Sequence, residues 1–244
     1  MKAFWDSLQI AGFFLLVGPF AAPGQTQVVV VPGQYAGTNA SSSDNAPLGV
    51  ANQYIQQEYA GSLLAASGLE PGEQITAIGF RIASGQTGLV AQTVSDYSIW
   101  MGPAVFSPGN MSSTLADNGS DMTLVRSGEL DITDGQFPGG SGANPFGMIQ
   151  LSQPYTYSGD DLLIEIAFSG FASGGNVDAA YPYDSSLAQT AFGTGPDATT
   201  ADQGLFDEAI VMAFNVTPVP EPSAIAPFAC GTIGLLIVLK RNRR

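Results

Sequence analysis

The feature that most constrains this chain is a rhythm of short apolar runs with a period of two, broken every few residues by Gly, Pro, Asn and Asp clusters. Ile78, Phe80 and Ile82 alternate with Gly79 and Arg81; Tyr97, Ile99 and Met101 with Ser98 and Trp100; Leu162, Ile164, Ile166 and Phe168 with Leu163, Glu165 and Ala167. Successive side chains of a strand point to opposite faces, so each run can turn one face to a core. Further strands are expected at Val28–Val31, Gln53–Tyr59, Thr123–Arg126, Glu129–Ile132, Phe146–Leu151 and Ala209–Val216. About nine strands across residues 25–217 suit an all-β, jelly-roll-like antiparallel sandwich. Helix is disfavoured: with Gly 30 and Pro 16 in 244 residues, a helical bundle is excluded. The longest helical candidate, Tyr54–Leu69, contains Gly61 and Gly68 and lacks a cap, leaving one short turn near Gly61–Ser67. The polar stretches Thr38–Pro47, Gly135–Pro145 and Phe192–Gly204 read as loops and are where binding is expected.

The residue inventory closes most catalytic routes. There is no His, and the single Cys is Cys230, so one chain builds no Ser-His-Asp triad, Cys-His pair or His/Cys zinc site. Of the basic residues, Lys2 opens the chain and Lys240, Arg241, Arg243 and Arg244 close it, leaving Arg81 and Arg126 between. The body has no lysine for Ser-Lys or Schiff-base chemistry. Without Asp6 and Glu221, 19 acids face those two bases across residues 25–217, a net charge of −17. Such a body repels nucleic acid and anionic membrane surfaces.

The two ends read as addresses. Lys2, the apolar run Leu8–Val17, Pro19 and the small residues after it have the layout of a signal peptide over residues 1–24, helical in its apolar part. Ala22-Pro23-Gly24 puts small residues at both recognition positions of signal peptidase, which sets the cut between Gly24 and Gln25. A retained anchor is the other reading, but this run is too short for a hydrocarbon core of ~30 Å. At the far end, Thr217-Pro218-Val219-Pro220-Glu221-Pro222-Ser223 precedes an uncharged run, Ala224–Leu239, and then the basic cluster. As a transmembrane helix, Ser223–Leu239 reaches roughly 25 Å at about 1.5 Å per residue, enough to span with modest thinning. Lys240, Arg241, Arg243 and Arg244 would stay cytoplasmic and put the acidic domain across the membrane. The prolines keep the spacer extended and open to a processing enzyme.

Pro220-Glu221-Pro222, an apolar helix and a terminal Arg-rich cluster resemble the PEP-CTERM sorting signal of exported bacterial proteins, a resemblance that covers residues 218–244. It implies that an exosortase, a membrane-embedded cysteine protease, recognises the motif and releases or transfers the protein in bacteria that make extracellular polysaccharide. Anchoring in the inner membrane would then be transient, and the destination the cell envelope or the exterior. Cys230 falls within the helix as a small packing residue. An ordinary single-pass anchor with a Pro-Glu-Pro linker is the alternative.

More loosely, the body resembles a sandwich module that often precedes such tails. The matching words are Tyr54-Ile55-Gln56-Gln57-Glu58-Tyr59, Ile75–Arg81, Asp96–Trp100, Met111–Asn118 before Val125-Arg126-Ser127-Gly128, and Pro154-Tyr155-Thr156-Tyr157 before Leu162-Leu163-Ile164. This resemblance speaks to architecture and assigns no activity.

Two chemical alternatives remain. Glu129-Leu130-Asp131-Ile132-Thr133-Asp134 is similar to the catalytic strand of sandwich-fold β-glucanases, with Asp134 where a Glu is expected; a retaining mechanism needs two carboxyl groups about 5–5.5 Å apart. Glu129 and Asp131 would share a face, while Leu130 and Ile132 point inward if the strand is structural. Asp117, Asn118 and Asp121, or Asp131 and Asp134, offer oxygen ligands to calcium without EF-hand spacing. The Asn-x-Ser/Thr sequences at Asn39, Asn110, Asn118 and Asn215 read as turn composition. Tyr155, Tyr157, Tyr181 and Tyr183 are either a glycan-stacking patch or core. The reading that absorbs most of the sequence is a noncatalytic, exported matrix or envelope protein, with no catalytic residue, cofactor or metal assigned and extracellular polysaccharide as the partner.

Overall fold

The computed structural model describes residues 25–218. In chain order the strands are β1 (Gln27–Val31), β2 (Ser42–Asp44), β3 (Asn52–Tyr59), β4 (Gln74–Phe80), β5 (Gln92–Val94), β6 (Asp96–Pro103), β7 (Thr123–Arg126) and β8 (Leu130–Ile132). They continue with β9 (Gly147–Thr156), β10 (Leu162–Ser169), β11 (Val177–Ala180), β12 (Ala188–Thr194), β13 (Gly204–Phe206), β14 (Ala209–Ile210) and β15 (Met212–Thr217). One short helix, α1 (Gly61–Ser67), follows β3. The fold is all-β, with antiparallel pairing throughout: a four-stranded sheet in the order β1-β15-β4-β9, a six-stranded sheet β13-β12-β3-β10-β6-β7, and the smaller β14-β11-β2 and β5-β8.

The alternating runs explain how the two large sheets close. Val29, Phe214, Ile78 and Ile149 stand opposite one another across β1, β15, β4 and β9. Phe192, Ile55, Ile166 and Ile99 form the equivalent rung across β12, β3, β10 and β6. Both rungs belong to one buried cluster, and each such side chain contributes about 1.5–3 kcal/mol by leaving water. Arg81 and Asp178 form a buried ion pair at 2.5 Å against this core, with Asp178 also accepting from the Ala40 N–H.

The strongly alternating segments become strands where the pattern predicts, and the short helix lies at Gly61–Ser67. It has no side-chain cap of its own; Asp161 Oδ1 accepts from the Gly61 N–H at 2.7 Å instead. Two of the expected loops contain strand: β2 lies within Thr38–Pro47 and the end of β12 within Phe192–Gly204. Their sequences are small and polar, but β12 is held between β3 and β13 and β2 pairs with β11, so neighbours override weak propensity. A second departure concerns β10, which is buried on both faces. Residues 104–122 lie over the outer face of the six-stranded sheet: Leu163 packs with Met111, Leu115 and Ala191, and Gln56 Nε2 donates to the Leu115 carbonyl at 2.8 Å.

Gln25 is exposed, two residues before β1. Residues 1–24, including Gly24, and the tail elements Pro220-Glu221-Pro222, Ser223–Leu239, Lys240, Arg241, Arg243 and Arg244 lie outside the described residues. Among the described residues no helix is long and apolar enough to cross a membrane.

Candidate functional site

At the edge of the six-stranded sheet, beside β2, Asp44, Asn45, Gln53, Phe192, Gln203 and Phe206 line a cleft of ≈ 140 Å³. Each comes from an identifiable local cause. Asp44 ends β2, and its Oδ1 accepts from the Ala46 N–H at 2.7 Å, a side-chain turn that leaves Asn45 exposed at the tip. Gln53 shares the inward parity of β3 with Ile55 and Gln57. Phe192 stands opposite Ile55, and the β12–β13 hairpin brings Gln203 and Phe206 back beside it. Gly204, at φ +123, makes that return possible: a Cβ there would lie 3.0 Å from the Phe206 ring.

The polar wall is fixed by an amide relay. Gln53 Nε2 donates to Gln203 Oε1 at 2.9 Å, and Gln203 Nε2 donates to Thr194 Oγ1 at 3.1 Å. Gln53 is buried, and its Oε1 has no hydrogen-bond partner. The apolar wall is aromatic. Phe206 meets Phe192 edge-on with centroids 5.6 Å apart and meets Tyr181 at 6.4 Å. Phe206 and Tyr181 remain 36% and 48% exposed.

Behind the cleft runs a buried polar ladder. Thr190 Oγ1 donates to Gln57 Oε1 at 2.8 Å, the Ile210 N–H donates to the same oxygen at 3.0 Å, and Tyr59 OH donates to the Ile210 carbonyl. Glu208 is buried beside this ladder; desolvation, and then the charge of Asp44, push its carboxyl up to about 8. Burial also raises Asp44, against the lowering effect of the Ala46 N–H.

A second polar feature lies five residues along β3 on its other face. Glu58 is fully buried, neither carboxyl oxygen has a hydrogen-bond partner, and burial followed by the charge of Asp161 raises it to about 8. Nearby, an open groove of ≈ 570 Å³ is lined by Gly61, Ser62, Phe106, Asp160 and Asp161, among others.

The residues singled out from sequence are placed as follows. Glu129 and Asp131 are exposed, one on either side of the inward-pointing Leu130 of β8, and Asp131 Oδ1 accepts from Thr93 Oγ1 at 2.7 Å. Asp134 is exposed in the following turn, where Gln136 Oε1 accepts from the Thr133 N–H. Asn118 is fully buried as a structural bracket: its Oδ1 accepts from the Ser112 N–H and its Nδ2 donates to Gln56 Oε1. Asp117 Oδ2 accepts from Ser112 Oγ, and Asp121 occupies a turn at φ +50. Among the described residues no group of three or more His, Cys, Asp or Glu could hold a metal ion. Tyr155 and Tyr157 are core residues, Tyr183 packs against the core, and only Tyr181 of the four tyrosines stands beside the cleft.

Asp44, Asn45, Phe192 and Gln203 come from two of the stretches read as binding loops, whereas Gln53 and Phe206 had no functional reading. The available signal was the polar run Gln56-Gln57-Glu58 with Gln53, which places polar side chains on both parities of a strand that is otherwise core. Compared with protein families, curated proteins and solved structures, the chain matches none of them.

Proposed function

We propose that this chain is a noncatalytic exported protein with a jelly-roll-like sandwich body, delivered to the cell envelope or extracellular polysaccharide matrix through a PEP-CTERM tail. The order of the tail, Pro220-Glu221-Pro222, apolar run, then Lys240, Arg241, Arg243 and Arg244, carries the reading. It also agrees with where the hydrogen-bonded ladder begins and ends. That ladder starts at Gln27 and stops at Thr217, so cuts after Gly24 and near Pro222 fall outside it and leave every strand of the described residues in place. Gln27 pairs with Val216, so both ends leave the domain at the same end of neighbouring strands. Signal peptidase would free one end; the tail would hold the other in the inner membrane until exosortase acts on the extended Pro-rich spacer. The acidic body then has no attraction for the anionic membrane surface it leaves.

Intact-mass measurement on protein from the envelope and medium, with and without the cell's exosortase, tests this. The delivered chain should begin at Gln25 and end near Pro222 in normal cells, and keep Arg244 in cells lacking the enzyme. Delivered protein that still carries Arg244 in normal cells would leave an ordinary tethered domain.

A further inference from the structure

The cleft beside β2 contains more unsatisfied and exposed chemistry than closing a core requires. Gln53 is 3% exposed, lines the cleft, and has an Oε1 with no hydrogen-bond partner. A buried amide oxygen left unpaired is costly; in a cleft wall it is an acceptor held ready for an entering donor. Its amide is held at the cleft wall by Nε2, which donates to Gln203 Oε1, and Gln203 Nε2 donates in turn to Thr194 Oγ1. Asn45, exposed at the tip of its turn, adds a further amide with both donors and an acceptor. Facing these groups are the Phe192 and Phe206 rings, with Tyr181 continuing the aromatic surface outward.

A ligand for such walls must offer hydroxyl groups on one side and a C–H face on the other. That is the chemistry of a pyranose ring. Charge narrows the class further. No Lys or Arg lines the cleft, and the body has an excess of acids, which disfavours uronic, sulfated or phosphorylated sugars. The one carboxylate in the lining, Asp44, is tied through Oδ1 to the Ala46 N–H at 2.7 Å, and the remaining lining side chains are amides and aromatic rings. Size sets the number of units: ≈ 140 Å³ is below the roughly 300–1,000 Å³ that encloses a drug-sized ligand, so one ring enters and its neighbours lie over the surface.

We infer that this cleft binds a single hexose unit of a neutral polysaccharide, Gln53 and Asn45 taking its hydroxyls and Phe206, extended by Tyr181, packing against its apolar face. The inference rests on the reading of the domain as a polysaccharide-associated module, and the two fail separately: chain-end mass tests delivery, and titration tests the cleft.

The delivered protein is titrated calorimetrically with cellotetraose, laminaritetraose and mannotetraose, and with tetramers of alginate and of deacetylated chitin. At least one neutral tetraose is expected to bind with a Kd on the order of 0.1–1 mM. Phe206→Ala and Asn45→Ala, both at exposed positions that leave the core intact, should each weaken it about tenfold or more, while Phe106→Ala in the other groove should change it less than about twofold. Gln53→Ala should act as Phe206→Ala does. Absence of neutral binding at roughly 10 mM, tighter binding of either charged tetramer, or cleft variants that bind as the parent does would each overturn the assignment. Release of reducing ends during the titration would overturn it too, by making the cleft an active site.

Discussion

Two buried carboxyls, Glu58 and Glu208, make stability depend on pH with a definite sign. Each has an ordinary value of 4.5 and is pushed up to about 8, chiefly by burial, with Asp161 and Asp44 adding like charge. Between these values the folded chain keeps protons that the unfolded chain has released, so unfolding is favoured more at each step up in pH. The stabilising contribution is complete below 4.5 and is lost as pH rises through about 8. The unfolding free energy from urea titration should therefore fall from about pH 5 to about pH 8.5, by a few kcal/mol in total. Glu58→Gln, neutral throughout, should be more stable than the parent by about 1–3 kcal/mol at the alkaline end and show a shallower slope. Equal slopes for the two chains would contradict this account of Glu58. None of it was legible locally: Glu58 reads as the polar end of a strand, and its burial between Leu163 of β10 and Gln189 of β12 is set by strands more than a hundred residues away. Arg81 likewise reads as one of two bases in the body, and its partner Asp178 is 97 residues away.

Among the elements, the β12–β13 hairpin carries half of the cleft lining, Phe192, Gln203 and Phe206, and Gly204 is its fulcrum. At φ +123 a side chain is strained, and a Cβ would stand 3.0 Å from the Phe206 ring, so Ala must either shift the ring or bend the strand. Gly195, in the same connection at φ +78, has no atom within 4 Å of an added Cβ and isolates the backbone cost alone. Thermal melts should show Gly195→Ala losing about 1 kcal/mol and Gly204→Ala about 2–3 kcal/mol. Gly204→Ala should also move the Phe206 and Tyr181 ring resonances, which Gly195→Ala leaves in place. Equal losses would mean that ring placement does not depend on Gly204. Sequence reading found β6 and β10 because alternation survives where a strand buries a large apolar face. It read the end of β12, from Phe192 to Thr194, as loop because Gly193 and Thr194 advertise no such face; β3 and β13 on either side supply the order. The cleft was thus half visible, as polar stretches suited to binding, while the pairing that joins them across more than a hundred residues was not.

For the whole molecule, the fold class was legible and the strand partners were not, because period and punctuation are local whereas β1 finds β15 from the other end of the domain. That closure makes the two termini unequal. Val29 and Val31 of β1 are 4% and 0% exposed and belong to the core, and all five residues of the strand pair with β15. Removing residues 25–31 strips two buried valines, about 1.5–3 kcal/mol each, and the ladder beside them from a domain whose total stability is of the order of 5–15 kcal/mol. It also turns β15, now unpaired on one side, into an open edge that invites association between copies. Among the described residues the ladder ends at Thr217. A chain of residues 25–218 should therefore fold alone and melt in one cooperative transition. A chain of residues 32–218 should melt at least about 10 °C lower and show concentration-dependent association by light scattering. If the shorter chain melted with the longer one and stayed monomeric, β1 would be an ornament of the sheet, and its pairing with β15 would contribute nothing to holding the domain together.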